Sequence, residues 1–383
     1  MRDGDDVALK LLHTADWHLG KRYPQFGEND ELELMRARMA VIDNVFGEAW
    51  SNQVDAVLAA GDLFDTPDPG ESWWRPLLDK IKARDWSERP LFLLPGNHDF
   101  LSNLSVWHPS HEFRSSLPEG VHVIDDDNFE APLGKDGVGV LLSRPCRSRS
   151  DGMDNALALP SREPGDERIR VGMVHGSTFE MDGFQSNFPI AKDAAERRGL
   201  DYLAIGDTHA FKVYPPESSP TVYPSAPEPT NFGERNAGYV AVVFFARRNR
   251  RARIRQTRVA RWTWEERTIT DMASLRRLTQ EDLNRTVLKL TLKMRVAAGD
   301  YDDAMRLVES LRGTQSTFGK VGVLRVDLSE LVMDTTDLSE ELAGLPEVLQ
   351  RTAERLRELE DGPQSAVATR ALGHLVRLLR EAR

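Results

Sequence analysis

An apolar run near the middle of the first hundred and fifty residues ends abruptly in a polar turn. Residues 91–94 are all apolar and predict a buried strand, which the breaker pair Pro95-Gly96 ends. The next three residues are Asn97, His98 and Asp99. In an α/β sheet, side chains at the C-terminal ends of strands line the crevice in which ligands bind. Polar residues also form ordinary turns, so this stretch alone leaves both interpretations open.

The same construction recurs at four further predicted strand ends. Apolar segments over 7–13, 54–60, 169–174 and 202–205 each run into a short polar segment. The polar side chains found there are, in chain order, Asp16 and His18, then Asp62, then His175, and finally Asp207 and His209. Five such strand ends favour one shared site over five unrelated turns. Helical spacing over 31–50 and 72–84 separates the first three strands, which predicts parallel pairing.

The side chains at these strand ends predict a site for two metal ions. The candidate ligands are Asp16, His18, Asp62, Asn97, His175, Asp207 and His209. Seven donors are too many for one ion but enough for two ions that share a carboxylate. Carboxylate, amide and imidazole donors without thiolate favour Mn²⁺, Fe²⁺ or Mg²⁺, with Zn²⁺ as a further option. Two ions about 3.5–4 Å apart can activate water and stabilise both oxygens of a displacement at phosphorus.

His98 is left outside this ligand set, beside the predicted site. An imidazole in that position is suited to protonate a leaving alkoxide, and Asp99 is a candidate orienting partner for it.

Composition limits the class of protein. A chain of 383 residues is too long for one ordinary core, which predicts two or three domains, and 40% hydrophobic with 29% charged residues is typical of a soluble globular protein. No apolar run is as long as a membrane span, and residues 1–6 are acidic, so we expect neither a membrane segment nor a signal peptide. The single cysteine, Cys146, fits a reducing cytoplasm. A net charge of −11 argues against non-specific nucleic-acid binding by the whole surface.

The last third of the chain has a different pattern. Arg251, Arg253 and Arg255 alternate on one predicted strand, which indicates either a solvated hairpin or a surface for phosphates or an acidic partner. Residues 273–284 and 300–312 are helix-like, and residues 286–296 and 321–328 are strand-like, which predicts a small α+β domain. Two amphipathic helices follow over 346–359 and 365–383. The second has an apolar stripe of Leu372, Leu375, Val376 and Leu379, which indicates either packing on its own chain or a docking element.

Three segments, over 14–20, 61–66 and 95–99, resemble motifs of the calcineurin-like metallophosphoesterase superfamily. They are more closely similar to the SbcD nuclease family, relatives of the meiotic recombination eleven nuclease, and the likeness covers about the first 240 residues. The resemblance implies an α/β fold with a β-sandwich flanked by helices, a small α+β capping domain and C-terminal helices. We accordingly expect domains over 1–268, 269–335 and 336–383.

The resemblance also implies a role for each site residue. Asp16, His18 and His209 would bind one metal ion, Asp62 would bridge, and Asn97, His175 and Asp207 would hold the second ion. His98 would be the catalytic acid, with Asp65 beside the site. The family normally has histidine where this chain has Asp207. Because aspartate is shorter and negatively charged, this departure bears on the affinity and identity of the second ion.

By this resemblance, we expect a metal-dependent DNA nuclease subunit that acts in DNA repair or DNA-end processing. The expected partners are DNA, an SbcC-like SMC-type ATPase and a second copy of the chain. One alternative is a phosphodiesterase or phosphatase for a small or protein-bound phosphate, and another is a non-catalytic scaffold that keeps a metal site. The additional domain and terminal helices favour the nuclease, since an enzyme for small substrates has no need of them.

Overall fold

The computed structural model describes residues 7–178, 187–214, 220–246, 250–312, 320–334 and 346–360, together with individual residues from 362 to 378. The chain divides into two compact units, Met1–Thr263 and Trp264–Arg383. None of the described helices is long and apolar enough to cross a membrane.

The first unit contains fourteen described strands and four described helices. The strands are β1 (Val7–Thr14), β2 (Ala56–Ala59), β3 (Leu91–Leu93), β4 (Val121–Val123), β5 (Phe129–Leu133), β6 (Gly139–Ser143), β7 (Ile169–His175), β8 (Ser177–Thr178), β9 (Pro189–Ile190), β10 (Tyr202–Gly206), β11 (Phe211–Tyr214), β12 (Thr221–Pro224), β13 (Tyr239–Ala246) and β14 (Ala252–Arg258). The helices are α1 (Glu28–Ser51), α2 (Glu71–Lys82), α3 (Glu112–Ser115) and α4 (Ala194–Arg197), with a 3₁₀ turn at Lys135–Gly137.

Twelve of these strands form two six-stranded sheets. The first has the order β14-β13-β1-β2-β3-β4 and the second has the order β11-β12-β10-β7-β6-β5. Strands β1, β2 and β3 pair in parallel, which confirms the prediction from the helical connections. Strands β7 and β10 also pair in parallel, but they belong to the second sheet. The polar strand ends therefore come from the C-terminal edges of two sheets.

The two sheets face each other across a shared core. Leu9 and Leu58 from the first sheet pack there with Leu141 and Met173 from the second. Side chains alternate in direction along β1, so Leu12 points to the opposite face of the first sheet. On that face it packs in a cluster with residues of α1 and α2. This layering gives the mixed α/β fold, with sheets flanked by helices, that the motifs predict.

The second unit has an α+β core of its own. Its elements are β15 (Thr263–Ile269), which begins at the last residue of the first unit, α5 (Met272–Leu278), β16 (Leu283–Val296), α6 (Ala298–Leu311), β17 (Val321–Met333) and α7 (Glu347–Glu360). Strands β15, β16 and β17 form one sheet, with β16 and β17 parallel. Leu288, Leu290 and Leu292 of β16 pack with Leu275 of α5 and Val308 of α6. Strand β17 extends beyond the predicted end at 328, since Leu331 and Met333 continue the buried positions.

The terminal apolar stripe packs in part on its own chain. Leu372 is fully buried in a cluster with Met333 and Ala353, and Leu375 packs against that cluster. Two further stripe positions, Val376 and Leu379, lie outside the described residues.

The arginine segment is also described in part, since positions 247–249 fall outside the described residues. Arg253 and Arg255 are exposed on one side of β14, as predicted from their alternation. The guanidinium of Arg255 lies 5.4 Å from the centre of the Phe244 ring and also contacts Asn52, so part of this face is used within the chain.

Candidate metal centre

The predicted ligands follow the C-terminal ends of five strands. Asp16 and His18 follow β1, Asp62 follows β2, Asn97 follows β3, His175 ends β7, and Asp207 and His209 follow β10. The structure buries the first five of these side chains and leaves Asp207 and His209 half-buried. Burying so many donors together is unfavourable unless a cation or protons compensate their charge.

One group of donors converges on a single point. Ligand atoms of Asp16, His18 and His209 all lie within 4.8 Å of one another. The Nε2 atoms of His18 and His209 are 3.0 Å apart. Oδ2 of Asp16 is buried and has no hydrogen-bond partner among the described residues. Two imidazole nitrogens and an unpartnered carboxylate oxygen fit the first coordination shell of a divalent cation.

A second group of donors shares the carboxylate of Asp16 with the first group. Asp16, Asp62 and His175 also offer ligand atoms within 4.8 Å of one another. Oδ2 of Asp62 lies 3.7 Å from Nε2 of His18 and 3.4 Å from Nε2 of His175, so it stands between the two groups. Oδ1 of Asn97 lies 3.1 Å from Nε2 of His175. This arrangement fits two neighbouring ions with Asp62 between them.

Asp207 differs from the other predicted ligands. Its backbone N–H donates to Oδ1 of Asp16 over 2.9 Å. Its carboxylate is hydrogen-bonded by the side chain of Ser177, and burial raises its pKa. Asp207 is absent from the three donor groups found among the described residues. Its carboxylate is nevertheless close enough to His175, Asp62 and His209 to interact with them electrostatically, so Asp207 stays a candidate ligand.

The pKa shifts within the cluster also indicate negative charge that a bound cation would balance. Burial raises the pKa of Asp16 to about 7. Burial lowers the pKa of His18 to about 4, which keeps the ring neutral and able to bind a metal ion. Burial alone would lower the pKa of His175, but the carboxylate of Asp62 outweighs this effect and raises the pKa to about 10. Without an ion, protons take up part of the charge that a divalent cation would balance.

The backbone at the site is strained. Four predicted ligands have positive φ angles, namely Asp16 at 55°, His18 at 43°, Asp62 at 54° and Asp207 at 103°. Few residues other than glycine adopt this region, and such outliers cluster at functional sites. Close packing also requires a glycine at position 96, because a Cβ atom on Gly96 would lie 2.2 Å from Oδ1 of Asp62.

His98 lies beside the donors and is half-buried. Its backbone N–H donates to Oδ1 of Asp62 over 2.8 Å. Its Nδ1 lies 3.4 Å from the carbonyl oxygen of Asp65 and 3.9 Å from the Oδ1 atom of that residue. His98 can also be grouped with His18 and Asp62 as a third set of donors, so its role as a non-ligand stays a prediction.

Asp99 has a different role from the one the sequence indicates. Its Oδ2 accepts backbone N–H bonds from Leu63 and Phe64, at 2.9 and 3.1 Å. Its Oδ1 accepts the N–H of Gly96 at 2.7 Å. The carboxylate therefore holds the turns after β2 and β3 together, and Asp65 is the acidic residue that faces His98. Adjacent positions in the sequence favoured Asp99, but its side chain turns towards backbone donors that only the fold brings near.

The structure adds two residues that the sequence analysis missed. Nδ1 of His209 lies 2.7 Å from Oε1 of Glu234 and 3.0 Å from Oγ1 of Thr230. Burial alone would lower the pKa of His209, but the hydrogen bond to Glu234 outweighs this effect and raises it. Both residues lie in the loop between β12 and β13, where no strand end or motif marks them.

A family model described as calcineurin-like phosphoesterase matches residues 9–211. An uncharacterized metallophosphoesterase, YhaO of Bacillus subtilis, is 26% identical over 61% of this chain and 57% of its own length. The SbcD component of the SbcCD nuclease from the same species is 28% identical over 61% of this chain and 65% of its own. The DNA double-strand break repair protein Mre11 of Aeropyrum pernix is 26% identical over 59% of this chain and 55% of its own.

The alignments thus span somewhat more than half the length of each of these curated relatives. The family model covers more than half of this chain, including all seven strand-end donors. The chain therefore belongs to the calcineurin-like phosphoesterase family.

Proposed function

We propose that this chain is a metal-dependent nuclease subunit that hydrolyses phosphodiester bonds in DNA. The observation that carries the proposal is the convergence of four buried donors, Asp16, His18, Asp62 and His175, with the half-buried His209 in overlapping donor groups. The half-buried His98 lies beside them. The family uses a dinuclear metal site. Two of the similar proteins are named as part of a nuclease and as a double-strand break repair protein, which supports DNA as the substrate.

In the proposed centre, Asp16, His18 and His209 would hold one ion and Asp62 would contact both ions. Asn97, His175 and Asp207 would hold the second ion. When bound, the ions would lower the pKa of a water molecule and offset the charge that develops at phosphorus. Asp207 supplies a charged oxygen where the family has histidine, which favours a hard ion at the second position. Mn²⁺ is our first choice, with Fe²⁺, Mg²⁺ and Zn²⁺ as alternatives.

The proposed role of His98 is to give a proton to the leaving oxygen. Its main chain is fixed by Asp62, and its Nδ1 faces Asp65. This orientation leaves Nε2 as the ring atom that can face a substrate. Asp65 lies 3.3 Å from Nδ1 of His18 as well, so the same carboxylate can orient both rings. Asp99 contributes indirectly, because it fixes the turn that carries Asn97 and His98.

The proposal extends to partners and to the rest of the chain. By analogy with the SbcD and Mre11 relatives, the partners would be DNA, an SbcC-like SMC-type ATPase and a second copy of this chain, in DNA-end processing or repair. The α+β segment over 269–335 would cap and guide DNA, residues 1–268 would form the nuclease domain, and residues 336–383 would dock the ATPase. The single, buried Cys146 supports a reducing, cytoplasmic location.

The experiment compares substrates and metals with one purified protein. Linear double-stranded DNA and a small chromogenic phosphodiester are incubated with Mn²⁺, Mg²⁺, Fe²⁺ or Zn²⁺, with Asp62→Asn as the inactive control. We expect Mn²⁺-dependent degradation of DNA that the control lacks. Hydrolysis of the small ester without DNA degradation would favour the small-substrate phosphodiesterase, for which the uncharacterized relative YhaO leaves room. Metal binding without hydrolysis of either substrate would favour the scaffold.

A further inference from the structure

We propose that Glu234 is a positioning residue for His209, which it holds in the tautomer and orientation that bind a metal ion. The inference rests on the part of the proposed function that makes His209 a ligand. It is independent of which phosphate ester is hydrolysed.

The first support is the direction of the His209 ring. Its Nδ1 faces Oε1 of Glu234 at 2.7 Å, while its Nε2 faces Nε2 of His18 at 3.0 Å. The carboxylate and the donor group therefore occupy opposite edges of one imidazole. A carboxylate that accepts the Nδ1 proton leaves the lone pair of a neutral ring on Nε2, where the metal group lies.

The second support is the matching arrangement at His18. Its Nδ1 lies 3.3 Å from Oδ1 of Asp65, on the edge of the ring away from His209. The two imidazoles thus meet at their Nε2 atoms, and each has an acidic side chain behind it. Asp65 was recognised from the sequence and makes a close contact with His18 that is not a hydrogen bond. Glu234 lies in a loop 25 residues after His209 and is within hydrogen-bond distance of it.

The third support is that Glu234 is itself held in place. Its Oε2 accepts the backbone N–H of Thr230 at 2.7 Å, and its Oε1 accepts the Thr230 hydroxyl. The fully buried guanidinium of Arg38 donates to the carbonyl oxygens of Glu228 and Pro229 at 2.9 and 2.8 Å. Helix α1 therefore anchors the segment just before Thr230, and the carboxylate has little freedom to turn away from His209.

The test measures metal binding rather than catalysis. Glu234→Ala, Glu234→Gln and His209→Ala are compared with the full-length wild-type protein by calorimetric titration with Mn²⁺ and by the absorption spectrum of bound Co²⁺. We expect Glu234→Ala to weaken one of two binding events by about 10- to 100-fold, as is usual when a group behind a ligand is lost. Glu234→Gln keeps an acceptor oxygen, so it should restore part of the affinity and most of the Co²⁺ spectrum.

Glu228→Gln is the matched control for disturbance of the loop. Its carboxylate lies in the same loop but accepts the backbone N–H groups of Arg261 and Trp262, at 2.8 and 2.9 Å. We expect this variant to lower the urea midpoint and leave Mn²⁺ affinity within about twofold of wild type. An equal loss of affinity in Glu228→Gln and Glu234→Ala would overturn the inference, because loop order alone would then explain it.

Two other outcomes distinguish failure of this inference from failure of the assignment of His209 as a ligand. If His209→Ala loses an ion while Glu234→Ala and Glu234→Gln bind both ions as wild type does, the inference is wrong and the ligand set stands. If His209→Ala keeps both ions with unchanged affinity, His209 is not a ligand, and both the ligand assignment and the inference are wrong. If Glu234→Ala does not fold, the isosteric Glu234→Gln decides: a weakened single binding event supports the role, and wild-type affinity and Co²⁺ spectrum overturn it.

Discussion

At the scale of single residues, five of the seven candidate donors have a second group in close contact behind them. His175 donates from Nδ1 to the carbonyl oxygen of Ala60 at 2.9 Å, which leaves its Nε2 towards Asp62. The other such pairs are His18 with Asp65, His209 with Glu234, Asp16 with the Asp207 N–H, and Asp62 with the His98 N–H. A donor set fixed in this way loses little entropy when an ion binds.

The bridging position of Asp62 gives the first residue-scale prediction. We expect Asp62→Ala to lose activity and at least one of two ions, because its Oδ2 lies between His18 and His175. His18→Ala should also remove activity and at least one ion. Metal analysis by mass spectrometry after gel filtration measures both effects. Retention of both ions by Asp62→Ala would rule out a bridging role.

His98 gives a prediction of the opposite kind. As the acid for the leaving group, it should be needed for turnover and not for metal binding. We expect His98→Ala to abolish hydrolysis while its metal content stays near that of wild type. Because His98 can be grouped with His18 and Asp62, the measurement is decisive: a loss of metal in this variant would make His98 a ligand.

His13 predicts how stability depends on pH. It is fully buried in β1, Nδ1 lies 2.9 Å from the Tyr202 hydroxyl, and burial lowers its pKa from 6.5 to about 3. Only the unfolded chain takes up this proton between pH 6.5 and 3, so its contribution to stability is lost as pH falls through that window. From pH 7.5 to 5, wild type should lose about 2 kcal/mol more stability than His13→Gln.

Urea unfolding of both proteins with the same chelator present isolates this effect, since the groups of the candidate centre are common to both and cancel. Parallel losses of stability in the two proteins would show that His13 does not titrate in this way.

The sequence predicted the strand-end donors because a polar residue directly after an apolar run is a local signal. It did not predict Glu234, whose contact with His209 joins two segments that are adjacent only in the folded chain. Asp99 was misjudged for a related reason. Its neighbour in the sequence is His98, but the backbone donors that it satisfies belong to Leu63, Phe64 and Gly96.

At the scale of elements, six of the seven candidate ligands lie in the turns that follow strands, and His175 is the last residue of β7. Parallel pairing of β1, β2 and β3 followed from the helices between them, as predicted. The assignment of β7 and β10 to a second sheet did not follow, because an apolar run indicates a buried strand and does not say which sheet it joins. The candidate ligands consequently come from the edges of two sheets.

Gly96 tests the turn after β3. A Cβ atom there would lie 2.2 Å from Oδ1 and 2.3 Å from the backbone N of Asp62, so the two turns would have to separate. We expect Gly96→Ala to cost about 1–3 kcal/mol or more and to weaken metal binding.

Gly47 in helix α1 is the matched control, because a Cβ atom there would meet nothing within 4 Å. Gly47→Ala should gain about 0.5–1 kcal/mol without affecting metal binding. Urea midpoints and Mn²⁺ titrations measure both variants. Unchanged metal affinity in Gly96→Ala would show that this close approach is not needed.

At the scale of the whole molecule, the two units carry different parts of the proposal. All of the candidate ligands lie in the unit Met1–Thr263, and the terminal helical segment lies in the unit Trp264–Arg383. The buried part of the terminal stripe, Leu372 with Met333 and Ala353, stabilises the second unit itself. Three apolar side chains of the terminal segment outside this stripe, Val348, Val367 and Leu378, are 74%, 69% and 56% exposed.

Because the buried and the exposed apolar side chains of the terminal segment are different residues, variants can test the proposed ATPase docking without disturbing the fold. Truncation after Asp334 removes the whole segment and none of the ligands, so it should keep metal binding and basal hydrolysis and lose the partner. Because it also uncovers Met333, the double variant Val348→Glu/Leu378→Glu is the sharper test. Its changes are on exposed positions, where charge is tolerated at little cost in stability.

We expect the double variant to fold with a wild-type urea midpoint and to bind its ATPase partner at least 10-fold more weakly in a titration. Leu372→Glu should instead lower the stability of the second unit, since it would bury an unpaired charge. If the double variant and the truncated protein both stay folded and bind the partner with unchanged affinity, the terminal helices are structural elements of this chain and the docking surface lies elsewhere.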